Sequence, residues 1–436
     1  MDITFDVVLH SPKRDSTKIT NTVLSIEIYE NIDKPYLTGI LEFFDTGSNF
    51  YGNYKFEGSE RVEIALRGTA NNSSVNERTF YVSKVIRVSR DDQSNSIVLH
   101  LVEDIAFISN LQNVNRSYVG TSSQIITKIA SNYLNKNVLT TNQDTNTIKT
   151  IIPNLDPVEA MEWIRNDATT VDGYPFYLFS TLGGSSDLKF VDLETMLSFD
   201  PINADDPYIY DRAALSHPLE QSQKRMILDF DVKDNEDLYS IIQKGFVGSN
   251  YEVIDLLTGT YNKIHFDVLK DLFAKLHTKL ANNQRDISYS PMNRIDFDSP
   301  IPIAEELFSN IDSKTIAQIG TSQVYNNGVE YHPSYGEKKT EFEYKRHIIS
   351  RSFQMFMRKT SIIFAAEGDN YSINPSFHRT IGNNIRVLFP STSENDKNLN
   401  DQKLSGDYLI NAAQHIIRPE RYDIKYSGVK IASYDT

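Results

Sequence analysis

Nine histidines are scattered through the 436 residues, and none stands three or four positions from another. No imidazole pair of the kind that holds a metal on one helix turn is therefore present. Cysteine is absent, which excludes disulfides, thiolate metal sites and a cysteine nucleophile. No phosphate loop, dinucleotide-binding glycine pattern, nucleophile elbow or His-Glu-x-x-His occurs. Asp229, Asp231 and Asp234 resemble the start of a calcium loop. Lys233 falls where an oxygen ligand is needed and no glycine follows, so solvated acids at a strand end are the simpler account. Glycoside hydrolysis needs two carboxylates roughly 5–10 Å apart across a groove. The adjacent pairs Glu103-Asp104, Asp205-Asp206 and Glu305-Glu306 read instead as solvated or turn positions. Trp163, the single tryptophan, falls in a helical pattern and suits half-buried packing better than a sugar platform. No catalytic, cofactor-binding or metal-ligating residue is assigned, and the chain is expected not to be an enzyme.

The elements that carry these residues are mostly strands. Tyrosines number 24 and phenylalanines 23, a content that favours sheets. Leu24, Ile26 and Ile28 alternate with polar residues, as do Val62, Ile64 and Leu66. Leu37, Leu41 and Phe43 share one face of a further run. Phe80, Val82, Ile86 and Val88 form another set, followed by Ile97, Leu99 and Leu101. Period two over so many short runs predicts an antiparallel sheet or small barrel. From residue 111 the period changes. Ile125, Ile126, Ile129, Tyr133 and Leu134 have helical spacing, with Ser122 or Ser123 as the expected N-cap. Asp156-Pro157, with Glu159 in the first turn, predicts a second helix start. Phe176 to Ser180 and Leu188 to Asp192 form a hairpin around Gly183-Gly184. Asp200-Pro201 to Pro207 reads as a linker. Strands return at Met226 to Val232 and at Tyr251 to Leu257, and a helix is expected from Phe266 to Leu280. Residues 283 to 340 are polar and proline-bearing and read as loop-rich. A helix bearing Phe342, Ile349, Phe353 and Met357 precedes four closing strands.

Acidic residues number 58 and basic residues 44, a net charge of −14. That balance argues against a general binder of nucleic acid or anionic membrane, which needs basic residues to neutralise phosphate. No apolar run is long enough for a transmembrane helix. Met1-Asp2-Ile3-Thr4 does not begin a signal peptide, so synthesis in a cytoplasm is expected.

Two stretches repeat one another. Gly58 precedes Arg61-Val62-Glu63-Ile64-Ala65-Leu66, and Gly382 precedes Asn384-Ile385-Arg386-Val387-Leu388-Phe389. Phe80-Tyr81-Val82 then leads to Arg87-Val88, as Tyr408-Leu409-Ile410 leads to His415-Ile416. Both glycines are read as structural turn residues ahead of a strand. The pattern suggests a duplicated β-unit whose second copy carries an insertion.

The run from Ile28 to Asp45, the stretch from Ile151-Ile152-Pro153-Asn154 to Phe176-Tyr177-Leu178-Phe179, and the span from Phe353 to Ile431 together resemble the baseplate hub protein of T-even-like contractile phages. The resemblance implies an α+β, mainly β fold: two tail-tube-like antiparallel β-barrels, an α/β domain and an inserted helix/loop domain. Residues 1–110 would form the first barrel, 111–222 the mixed α/β domain, 223–262 with 345–436 the second barrel, and 263–344 the insertion. It also implies a homotrimeric ring in the virion baseplate that joins the tail tube to a central spike and other baseplate proteins. DNA would pass through without specific binding, and no membrane anchor or cofactor is expected. Residues 265 to 345 and the loop 390 to 405 depart from the family pattern. A tail-associated glycan hydrolase and a receptor-binding adhesin are the competing readings. Purified protein is expected to release no soluble fragments from peptidoglycan; dose-dependent hydrolysis abolished by changing one carboxylate pair would favour the hydrolase.

Overall fold

The computed structural model describes residues 3–46, 56, 60–68, 75–90, 94–141, 148–166, 168–210, 225–232, 243, 248–255, 260–267, 271, 315–320, 330–331, 341–357, 362–369, 372–376, 378–391, 400–401 and 404–433. The N-terminal strands are β1 (Ile3–Ser11), β2 (Arg14–Lys18), β3 (Val23–Asn31), β4 (Thr38–Thr46), β5 (Arg61–Gly68), β6 (Asn76–Arg90) and β7 (Ser94–Glu103). They pair antiparallel in the order β3-β4-β7-β6-β5-β1-β2. The alternation puts Ile26, Ile28, Leu41, Phe43, Leu99 and Leu101 on one buried face. β1 follows the same rule through Ile3, Val7 and Leu9, although it was not among the expected strands.

The mixed unit holds α1 (Asp104–Ser109), β8 (Ser117–Gly120), α2 (Ser122–Ile129), β9 (Val138–Thr140), β10 (Ile148–Ile151), α3 (Pro157–Arg165), β11 (Phe176–Phe179), β12 (Leu188–Asp192) and α4 (Leu193–Ser198). The cap of α2 is Thr121, one residue before the serines expected. Its hydroxyl accepts from the Gln124 N–H while the Gln124 side chain accepts from Thr121 N–H, a reciprocal arrangement serine at 122 or 123 lacks. Asp156 caps α3 as expected, accepting from the N–H groups of Val158 and Glu159 at 2.9 and 3.0 Å. β11 and β12 form the expected hairpin. Trp163 is partly buried against the core of this unit.

The chain continues through β13 (Tyr208–Ile209) and β14 (Ile227–Val232). Ahead of β13, the expected linker is folded onto its neighbour: Ile202 N–H donates to Asn384 O at 2.9 Å and Asn203 Nδ2 to Arg386 O at 2.9 Å. Next come β15 (Gly248–Asp255), β16 (Thr260–Asp267), β17 (Thr315–Gly320), β18 (Glu330–Tyr331) and α5 (Glu341–Met357). Phe266 and Asp267 end strand β16 opposite Ser249 and Gly248, rather than starting a helix. The remainder of the helix expected to Leu280, Asp271 apart, lies outside the described residues. Within 283–340, read as loop, β17 pairs parallel with β15 and β18 pairs parallel with β10. Pairing to distant strands overrides the polar composition there. The last strands are β19 (Ile362–Glu367), β20 (Asn384–Leu388), β21 (Gly406–Arg418) and β22 (Arg421–Ser433). Ile349, Phe353 and Met357 of α5 join their core.

The second half repeats the first. Its strands lie in the order β13-β20-β21-β22-β19-β14, matching β1-β5-β6-β7-β4-β3 position for position. Arg61 faces Tyr81 as Asn384 faces Leu409. Val82 N–H donates to Glu60 O at 3.0 Å, and Ile410 N–H to Asn383 O at 3.0 Å. Register shifts fall between Val82 and Lys84 and between Ile410 and Ala412. They recur between Val23 and Ser25 and between Ile227 and Asp229. Bulges at equivalent places are features of one ancestral unit rather than accidents of alternation. The copies differ at one end, where β1 runs antiparallel to β5 but β13 parallel to β20. β6 also has a second register shift, between Val85 and Arg87, which β21 lacks. The halves are joined edge to edge: β21 pairs with β3, so the described strands of both belong to one 13-stranded sheet.

Asp156 also accepts from Ser109 Oγ at 2.6 Å and so ties α1 to α3. Asp156→Ala is expected to lower stability by about 1–2 kcal/mol, read as a lower urea midpoint at unchanged m-value.

Candidate functional site

Three parts of the sheet could carry function: its open face, the seam between the copies, and its free edges. The face opposite the core carries Glu27 and Tyr29 on β3, Glu42 on β4, Ser96 on β7 and Gln414 on β21, all half-buried. Its acids are held by neutral donors. Gln414 Nε2 donates to Glu27 at 3.0 Å, Ser96 Oγ to Glu42 at 2.9 Å, and the Tyr29 hydroxyl to Glu27 at 2.5 Å. Burial, reinforced by the Glu27 carboxylate, pushes the Tyr29 phenol well above its ordinary value. Tyr29 therefore remains a donor.

The seam runs from Ala412 opposite Asn31 to Ile417 opposite Ile26. On its core side Glu30 and His415 are both fully buried, with Glu30 Oε1 3.5 Å from His415 Nε2. The Leu182 N–H donates to the same carboxylate oxygen, and His415 Nδ1 lies 2.8 Å from the Tyr422 hydroxyl. Burial works to raise the Glu30 carboxyl. The charge of His415 3.5 Å away, with the hydrogen bond from Leu182 N–H, outweighs burial and holds it below its ordinary value. Close by, Arg78 donates to Thr181 O at 2.7 Å and Leu182 O at 2.8 Å, and Asn76 Nδ2 to Leu182 O at 2.6 Å. Glu103, read from sequence as a solvated acid, is buried. It accepts from Leu37 N–H at 2.9 Å and sits 3.9 Å from Arg78. Burial dominates there and raises its carboxyl.

The edges follow from the duplication. β21 is paired on one side by β20 through its first residues and by β3 from Ala412 onward. The equivalent strand β6 is paired by β5 only as far as Tyr81. Beyond that point, among the described residues, β6 has no strand on that side. β14, the counterpart of β3, pairs with β19 on one side, and on the other the described residues give it a single bridge, Ile209 to Met226. One half therefore leaves open the groove that its twin fills, and the other half leaves open the strand that fills it.

Of the glycines expected ahead of the repeated strands, Gly382 has φ +78°, the left-handed region that favours glycine. Gly58 lies outside the described residues. Asp229 and Asp231 are exposed on alternate positions of β14, Asp234 lies outside the described residues, and among the described residues no cluster of His, Asp and Glu is arranged for a metal. Asp206 pairs with Arg225 at 2.8 Å, and Glu305-Glu306 lies outside the described residues. Sequence reading missed Arg78, Asn76 and Glu30. A signal was present for the last: Ile26-Glu27-Ile28-Tyr29-Glu30-Asn31 recurs as Phe230-Asp231-Val232-Lys233-Asp234-Asn235.

No protein-family model and no curated protein matches the chain. Solved structures do. The tail protein from Neisseria meningitidis MC58 aligns at a TM-score of 0.52 and 9% identity, over 99% of this chain and 97% of that one. The 43 kDa tail protein of prophage MuSo2 from Shewanella oneidensis gives 0.48 and 10%, over 98% of each chain. A Francisella PdpA–VgrG complex gives 0.44 and 11%, over 99% of this chain and 53% of that one. At such identities the likeness is one of fold. The chain has the fold of the Neisseria tail protein, and the tail-protein resemblance read from its sequence holds at that level.

Because the Glu30 carboxyl is held below its unfolded value of 4.5, its ionised form adds stability above that pH, lost as the pH falls through the folded value. Glu30→Gln is expected to cost about 1–3 kcal/mol at pH 7. The gap from wild type should narrow below pH 4.5, as read by denaturant melts across the acid range.

Proposed function

We propose that this chain is a structural hub of a contractile phage tail or related injection system. In this reading it forms a trimeric ring that adapts a hexameric tail tube to a trimeric central spike and leaves a channel for DNA. The observation that carries the reading is the duplicated sheet with its two complementary edges. Within the chain, β3 of the first copy occupies the edge of β21 in the second. By equivalence of the copies, β14 of one chain occupies the open edge of β6 in the next. Such a contact joins two different patches, and repeating it closes a ring when the rotation permits. Three chains then present six similar copies to the tube. Closure also covers the edges, which otherwise invite uncontrolled association.

The open face supports the channel. Its carboxylates are engaged by neutral hydroxyl and amide groups, and the chain's net charge is −14. Exposed Lys425 lies opposite Gln414 on that face, and the acids named there are held by neutral donors rather than by cations. The role is structural rather than enzymatic, the site of action is the virion tail, and the partners are the spike, the tube and the neighbouring chains.

The register of the seam fixes the register between chains. His415 faces Ile28 and Ile417 faces Ile26; with the second register shift of β6 counted, the equivalent pairs are Val88 with Val232 and Arg90 with Phe230. The chain has no cysteine, so introduced thiols report without background. Val88→Cys combined with Val232→Cys is expected to yield disulfide-linked species that end at three chains under mild oxidation. Light scattering should give a mass of three chains. A monomer at high concentration with no cross-link would overturn the ring. A trimer without the cross-link would keep the ring and move its contact elsewhere.

A further inference from the structure

The two open edges differ in charge. Beyond Tyr81, where the pairing with β5 ends, β6 carries Lys84, Arg87 and Arg90 and no acid. Asp91-Asp92 follow only past its end. β14 carries Asp229 and Asp231, both exposed, and no base. The sequence runs on as Lys233-Asp234-Asn235-Glu236-Asp237, so acids stay in excess there. The joined edges of the inner seam lack this contrast: from Ala412 to Ile417, β21 brings no lysine or arginine to β3. Cations along a free edge keep it from pairing with its own copy. Two β6 edges set cations against cations, and two β14 edges set acids against acids; like charges side by side on paired strands are unfavourable. The pairing that charge favours is β6 with β14.

The inner seam shows how such a contact is made. Gln414, opposite Tyr29, donates through Nε2 to Glu27 at 3.0 Å, two residues along β3. With both register shifts of β6 counted, Arg87 stands at the strand position of Gln414. Asp231 stands at that of Glu27. An amide–carboxylate hydrogen bond within the chain therefore corresponds to a guanidinium–carboxylate pair between chains. In sequence Lys233 corresponds to Tyr29, so two cations would share the Asp231 carboxylate.

We propose that charge selects the contact between chains: the basic edge of β6 takes the acidic β14 edge of a second copy, with Arg87 of one chain paired to Asp231 of the next. The inference rests on the ring reading above and supplies its specificity. Like charges exclude dimers built from two identical edges, and opposite charges favour the head-to-tail order that a ring needs. Sedimentation velocity of the full chain tests it. In about 1 M NaCl the screening length falls to about 3 Å, from about 10 Å at about 0.1 M. The trimer is expected to bind its third chain at least about ten-fold more weakly at the higher salt, a response that apolar burial alone lacks. At the lower salt, Asp231→Lys is expected to weaken assembly at least about ten-fold, and Arg87→Glu added to it to restore assembly. A trimer indifferent to salt and to Asp231→Lys would keep the ring and overturn this contact. Weakening that Arg87→Glu fails to restore would also overturn it, as would a mass of two chains. A wild-type chain that is monomeric at both salts would overturn the ring and the contact together.

Discussion

The peptide of Leu182 holds the molecule together. Its N–H is taken by Glu30 of β3, its carbonyl by Asn76 and Arg78 of β6, and its side chain is fully buried in the core of the first copy. A backbone group buried outside a ladder needs partners, and here each comes from another part of the chain. The same Asn76 amide also reaches Ile373 O at 2.7 Å, drawing in the second copy. Glu30 in turn faces His415 across the seam. One loop tip of the mixed unit thereby sets the positions of both copies. The charged groups around it are buried because they satisfy that tip, and their desolvation is offset only while it stays in place.

Much of the fold was written in the alternation of side chains. β3 to β7 and β19 to β22 obey period two, and α3 announces its start through Asp156-Pro157. What failed did so for identifiable reasons. β17 and β18 are edge elements whose partners lie far away in the chain, so their local pattern carries little information. Glu103 looked solvated because an adjacent pair of acids usually is. The arginine that compensates it stands 25 residues earlier on a strand whose pairing brings them together.

The repeat was legible in outline and sharper than it first looked. The Gly58 and Gly382 segments align the paired cores, but the segment that forms the seam between the copies is β3. Its echo at residues 230–235 preserves the order apolar, acid, apolar, any, acid, Asn. Duplication explains why one copy ends in the long hairpin β1–β2 and the other in the two-residue β13. Sheet order is kept by backbone pairing across many residues, whereas the terminal strand has diverged between the copies.

The insertion interrupts the second copy alone. In the first copy, six residues connect β3 to β4; in the second, β15 to β18 and α5 stand between β14 and β19. Any circular arrangement of this chain is therefore a superlattice. Its sheet repeats every half-molecule, while the insertion repeats every whole one. A partner touching only the sheet meets twice as many equivalent stations as a partner touching the insertion. Two rings of different periodicity can thus be threaded on one protein, with no residue required to serve both.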